Sequence, residues 1–259
     1  MKSFWQSFWR KVDWREVVPG ALSVFGFLLL WEGMIRIFKV PPWILPAPSA
    51  VVQALISDRQ TLLAHSQVTL VEAVSGFSLS IVLSIVIATI IDRLPLLRAT
   101  FYPLFVISQT VPIIAVAPLV VVWFGYGTLP KILVVLLVTF FPLTVSLAEG
   151  YRSVDQQKVR LLKTMGARPW HIFIYARWPS ALPQFFSGLK IAATYSVMGA
   201  VIGEWLGARA GLGIYLVRTA KSFLTDRLFA AIAVIVVLSL VLFAIVEGVQ
   251  RVSLRWLRV

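Results

Sequence analysis

The run from Leu228 to Val246, LFAAIAVIVVLSLVLFAIV, holds 19 residues without a charge. At 1.5 Å per residue, a helix of that length covers about 28 Å, close to the roughly 30 Å of a bilayer's hydrocarbon core. Ala73 to Ile91, AVSGFSLSIVLSIVIATII, repeats the pattern, and Ala99 to Pro130 is uncharged throughout. Working outward from these stretches, six segments approach spanning length: about 17–38, 70–91, 100–124, 130–149, 184–206 and 228–248. The whole chain agrees. Of its 259 residues 59% are hydrophobic and only 14% charged, with a mean hydropathy of +0.88. An ordinary soluble domain carries roughly 25% charged residues, and it needs them for its exterior. Soluble enzyme, disordered chain and secreted disulfide scaffold are therefore excluded. The expected fold is all-α, a polytopic membrane protein of six helices.

The net charge of +13 would suggest nucleic acid in a soluble protein. In a membrane chain it reads as the positive-inside bias, and no nucleic-acid partner is expected. An even number of spans puts both ends on one side. Fifteen Lys and Arg fall on the N-terminal arm, the 92–98 turn, the 150–183 loop and the C-terminal tail. Seven fall on the other side: Lys39, Arg59, Lys131, Arg209, Arg218, Lys221 and Arg227. Both termini are thus expected in the cytoplasm, with the 208–226 loop as a local exception. Trp31, Trp123 and Trp205 mark one headgroup boundary, and Trp14, Trp178 and Trp256 the other. The first apolar run, Val17 to Trp31, ends at Glu32-Gly33-Met34 rather than at a small-x-small site, so it reads as an uncleaved anchor. Residues 1–16 form an arm in which Phe4, Trp5, Phe8 and Trp9 recur at helical spacing beside Lys2, Arg10 and Lys11. This predicts a short helix on the inner leaflet, followed by a single membrane domain over 17–259. Pro41 to Pro48 predicts an extended crossing, and 49–66 a short surface helix. With no Cys and only His65 and His171, no metal site is expected.

The 150–183 loop is too long for a plain connector. Val154 to Met165 favours helix, Gly166-Ala167-Arg168-Pro169 breaks it, and Trp170 to Trp178 resumes it. Glycine suits a turn of positive φ, and Pro169 suits the first turn of a new helix. The pattern is helix, sharp turn, helix, with apolar residues that have no lipid to bury in and so invite a partner with a groove.

At these residues the chain resembles a known family. Lys163-Thr164-Met165-Gly166-Ala167, Trp170-His171-Ile172-Phe173, Trp178 to Pro183 and Ser187-Gly188-Leu189-Lys190 are similar to the "EAA" cytoplasmic loop of binding-protein-dependent ABC importer permeases. The closest-looking branch carries nitrate, sulfonates, taurine and thiamine precursors. Leu45 to Pro48, Gln109 to Gly127 and Gly211-Leu212-Gly213 resemble it too, so the likeness covers nearly all of the chain from about residue 40. In one place the chain departs: the family's Glu-Ala-Ala falls on Arg160-Leu161-Leu162. The resemblance implies a type I ABC importer permease fold with a cytoplasmic coupling helix, formed by Lys163, Thr164, Met165, Gly166, Ala167, Pro169, Trp170, Ile172 and Phe173. It implies a multi-pass protein of the bacterial inner membrane. Its partners would be a cytoplasmic ATPase subunit, an extracytoplasmic solute-binding protein and a second copy of the chain. ATP and Mg would belong to the ATPase: no catalytic residue or cofactor is expected here, and no G-x-x-x-x-G-K-[ST] loop is present. The solute implied is a thiamine-precursor pyrimidine, with aliphatic sulfonate, taurine or nitrate as alternatives.

Glu32 and Arg36 stand at i,i+4 in the first span, the favourable order for a pair. Glu72 and Glu204 lie near span ends and read as interfacial rather than as proton carriers. Lys190 reads as snorkelling to headgroups. Pro103, Pro112 and Pro118 make the third span the one that faces a pathway or dimer axis. Ser108, Gln109, Thr110 and Pro112 there, with Ser196 and Met198 in the fifth span, are candidate pathway residues; interhelical hydrogen bonding is the other reading. A stand-alone secondary transporter would be expected to place paired ionisable groups or broken helices in corresponding halves, and the sequence offers neither beyond Glu32 and Arg36. A membrane enzyme would need a cluster of His, Asp or Glu, and none is apparent.

Overall fold

A computed structural model describes residues 14–255, and every regular element among them is helical. The aromatic arm and Trp256 lie outside the described residues. In chain order the helices are α1 (Trp14–Phe38), α2 (Pro48–Ser57), α3 (Arg59–Arg93), α4 (Pro95–Ser108), α5 (Ile113–Phe124), α6 (Leu129–Arg152), α7 (Gln156–Thr164), α8 (Pro169–Ile172), α9 (Trp178–Glu204), α10 (Leu212–Lys221) and α11 (Thr225–Ser253). A π-helical turn, Phe173–Arg177, joins α8 to α9.

Among the described residues five helices are long and apolar enough to cross a membrane: α1, α3, α6, α9 with the segment leading into it, and α11. The expected third span is not one rod. It is α4 and α5, bent by 103° at a break over 109–112, and the count reaches six only if this pair is one span. Proline explains the break. Pro112 lacks the N–H that would continue α4, and its own backbone is extended at φ −63°, ψ 115°. Pro103 and Pro118 remain inside their helices.

Two further expectations change. Pro41 to Leu45 folds into a turn, with Ile44 N–H on Pro41 O at 2.9 Å, so the proline crossing is extended only near Ala47. The surface helix ends at Ser57; residues 59–66 are instead the first turns of the 35-residue α3.

The chain divides into two compact units. In the first, up to Arg59 with Thr219–Ala230, the Glu32–Arg36 pair forms at 2.6 Å. The same carboxylate caps α2, accepting from Ser49 N at 3.0 Å and Ser49 Oγ at 2.9 Å. Trp31 packs on Phe229 at 5.6 Å between ring centroids.

The second unit, Gln60–Arg218 with Ala231–Val259, is built on α6 and α9, which run antiparallel in close contact. Small residues on α9 set the approach. A Cβ at Gly203 would meet Lys131 Cα at 3.1 Å, one at Gly199 would meet Val135 Cα at 3.2 Å, and Gly188 faces Ser146. Such faces let helices associate by backbone packing where no water is present to drive them together. Ala73, Val135, Leu143, Leu147, Ala192, Val197 and Ala200 fill the core around them. The Lys190 Nζ lies 5.7 Å from the Phe243 ring centroid, in cation–π contact.

Candidate functional site

The 150–183 segment folds as a stiff bracket. Asp155 caps α7, its Oδ1 accepting from Gln157 N at 2.8 Å. At the other end Gly166 has φ +78°, the left-handed conformation that glycine takes without a Cβ penalty. Gly166 N–H then reaches Lys163 O at 3.0 Å, and Ala167 N–H reaches Leu162 O at 2.9 Å. These are the two bonds of a Schellman cap, and Leu162 and Ala167 supply the apolar contact that accompanies it. Both pack on a small core of Val154, Val159, Ile172 and Ala176. The turn is therefore held by its own interior. Met165 at 74% exposed and Trp170 at 58% stand out from it.

This bracket is clamped to the helix bundle. Arg177, ending the π turn, donates to Asp92 at the end of α3. Asp92 is nearly buried, and Arg98 of α4 approaches it at 3.9 Å. Tyr102 of α4 donates to Glu149 of α6 at 2.9 Å, and Tyr151 of α6 bonds Thr89 of α3 at 2.9 Å. Arg177 and Asp92 thus tie the loop to the elbow from which α4 departs.

Helix α4 leads to a cavity of about 530 Å³ beside the α4–α5 break. Ser108, Gln109 and Pro112 line it from the break, Phe141 and Pro142 from α6, and Tyr195 and Met198 from α9. The break exposes carbonyls that would otherwise bond within a helix. Ser108 Oγ donates to Phe105 O at 2.8 Å, and Thr110 Oγ1 to Ile107 O at 2.8 Å. Gln109 Nε2 lies 3.5 Å from Phe105 O, leaving most of its amide for the cavity. The walls combine apolar surface with a few polar groups, an arrangement that orients a small solute without gripping it by charge.

At the opposite end of α6, charges are buried. Lys131 Nζ donates to Glu72 Oε1 at 2.7 Å. Glu204 accepts from Thr69 Oγ1 at 2.7 Å and from Gly213 N–H in the first turn of α10. Leu212 N–H bonds Thr69 Oγ1 at 2.8 Å, and Gly211 N–H bonds His65 Nδ1 at 2.9 Å. Three successive backbone donors at the start of α10 are thus satisfied by side chains of α3 and α9. The positive end of that helix faces the Glu204 carboxylate. Gly211, at φ +123°, has no room for a Cβ against the same carboxylate.

Residues 80–259 match the family described as "Binding-protein-dependent transport system inner membrane component". The chain belongs to this family. The permease is 37% identical to the formylaminopyrimidine transport permease protein ThiX of Halalkalibacterium halodurans, over 93% of its own length and 96% of the relative's. It is 36% identical to a probable ABC transporter permease protein of Haemophilus influenzae, over 86% and 91%. Its fold is similar to that of the MetNI methionine ABC transporter in inward-facing conformations, with a TM-score of 0.66 at 16% identity, covering 75% of this chain and 96% of that one. The permease is an inner-membrane transport subunit and not an enzyme; family membership implies a solute-binding protein and a separate ATPase.

Its expected site residues divide as follows. Lys163, Thr164, Met165, Gly166, Ala167, Pro169 and Trp170 surround the capped turn. Ile172 does not face outward: it is 7% exposed within the bracket's own core. Phe173 is half-buried against Trp178 and Tyr151. Of the cavity candidates, Ser108, Gln109, Pro112 and Met198 share one wall system. Thr110 is exposed off it, and Ser196 is fully buried, its Oγ on Ala193 O at 2.8 Å. Glu72 and Glu204, at 1% and 0% exposed, are buried inside the protein. The sequence reading missed Asp92 and Arg177, which are 85 positions apart, and Tyr195. Only the lone acid in the basic 92–98 turn hinted at such a joint. Arg160, in the place of the family glutamate, is exposed on α7.

Proposed function

We propose that two copies of this permease flank one pathway, each contributing residues 17–259, and that they import a thiamine-precursor pyrimidine handed over by an extracytoplasmic binding protein. The turn from Lys163 to Trp170 docks in a groove of a cytoplasmic ATPase subunit. Closure of the ATPase pair on ATP and Mg displaces the bracket, and the Arg177–Asp92 clamp passes the displacement to α4. The break at Gln109 then moves beside the cavity, through which the solute passes. The 150–183 loop and both termini lie in the cytoplasm, in keeping with the basic residues gathered there.

The observation that carries this reading is the Schellman-capped turn on a private core. A connector has no use for a rigid mount that leaves Met165 and Trp170 outside. The pyrimidine is supported by the 37% identity to ThiX across nearly the full length of both chains.

The test is Gly166→Val. At φ +78° a β-branched residue costs about 1–2 kcal/mol locally, too little to stop insertion. In proteoliposomes containing the ATPase, the variant is expected to insert normally and lose solute uptake. Undiminished uptake overturns the docking role. For the solute, isothermal titration of the partner binding protein should register the formylaminopyrimidine and not taurine; the reverse result overturns the substrate and leaves the docking intact.

A further inference from the structure

Arg93 ends α3 in an unusual setting. Its guanidinium carbon lies 5.5 Å from the centroid of Phe173 and 6.0 Å from that of Trp170. Stacking of this kind covers the faces of the guanidinium and leaves its in-plane N–H donors pointing away. Among the described residues no carboxylate pairs with Arg93; the neighbouring Asp92 is taken by Arg177 and Arg98.

Below Arg93 runs an open groove of about 550 Å³, walled by Val86, Thr89 and Ile90 of α3 on one side and Phe173, Ile174 and Trp178 on the other. From Ile85 to Arg93 the groove follows α3 for about 12 Å at 1.5 Å per residue. It runs along the last turns of α3, and its other wall belongs to Pro169–Glu204, a second segment long and apolar enough to span. Apolar walls of this kind suit hydrocarbon, and an arginine and an indole such as Arg93 and Trp178 at the end of a span suit headgroups. A water-filled channel would waste these walls, and a soluble anion would use only the rim.

We propose that this groove is a binding site for an anionic phospholipid. One acyl chain lies along Val86 and Ile90, and a phosphate oxygen accepts from the free edge of the Arg93 guanidinium. Charge complementarity selects the occupant: a bare cation at the mouth of a hydrocarbon slot matches a headgroup whose negative charge sits one chain-length from its tail. Because the same arginine stacks on Trp170 and Phe173, a bound lipid braces the bracket that carries Gly166.

The experiment is native mass spectrometry of the intact permease released from nanodiscs of phosphatidylcholine with phosphatidylglycerol. The parent protein is expected to retain phosphatidylglycerol selectively. Arg93→Gln should lower that retention about fivefold, the scale of one basic side chain at an anionic surface. Val86→Trp keeps the charge but fills the slot at an exposed position, and should lower retention as well. Equal retention by Arg93→Gln and parent overturns the proposal. So does displacement of the lipid by inorganic phosphate with Val86→Trp unaffected, which would make the site an anion site without a chain. The readout needs no transport, so it stands or falls apart from the function proposed above.

Discussion

Replacing Lys131 with Met would test whether the buried charges at the far end of α6 hold the bundle together. Lys131 is 8% exposed, and its ammonium lies 2.7 Å from Glu72, itself 1% exposed, with Glu204 close by and fully buried. Methionine keeps an unbranched stem, which Gly203 requires because α9 rides on the Lys131 Cα. The change therefore removes charge without altering the fit. Removing one partner of a buried pair strands the other, at a cost of about 3–5 kcal/mol. For a chain of this size each kcal/mol moves the midpoint by about 2–4 °C, so a fall of about 6–20 °C is expected in thermal unfolding of the purified protein. The double variant Glu72→Gln with Lys131→Met should recover most of that loss, since the Glu72 charge is no longer stranded and Glu204 keeps its own donors, Thr69 Oγ1 and Gly213 N–H. A single variant that melts with the wild type would refute the account. So would a double variant as unstable as the single, for then packing and not charge pairing would be what Lys131 supplies.

Two other outcomes follow from the same geometry. Gln109→Ala should change solute uptake while leaving assembly intact, because its one long contact to Phe105 O contributes little to the fold; a loss of expression alone, with uptake per molecule unchanged, speaks against a pathway role. Asp92→Asn should weaken the clamp to Arg177 and lower the solute moved per ATP hydrolysed in proteoliposomes; an unchanged ratio would mean that the displacement reaches α4 by another route.

The spans were readable because hydrocarbon admits few backbone solutions. Nineteen uncharged residues in a row must form a helix, and the charge census then orders the loops. The bracket was readable for a local reason as well. Gly166 and Pro169 act on their own φ angles, so the turn and the helix after it needed no distant partner. The α4–α5 break was half readable: the prolines announced a disturbed helix, but whether Pro112 would kink the span or sever it depended on neighbours able to cover the freed carbonyls. Ile172 was not decidable locally, because its apolar side chain looks the same in sequence whether it meets a partner or Val154, Val159 and Ala176.

From the string of residues alone came the helical class, the membrane setting, the capped turn and the family likeness, all of which rest on interactions within a few positions or on bulk composition. Folding in three dimensions had to choose who meets whom. It brought Asp92 to Arg177, Lys131 to Glu72, and Glu204 to the first turn of α10, and it set Tyr195 rather than Ser196 on the cavity wall. Such pairings depend on how the α6 and α9 backbones settle against each other at their small residues, and that contact leaves no period or motif along the chain.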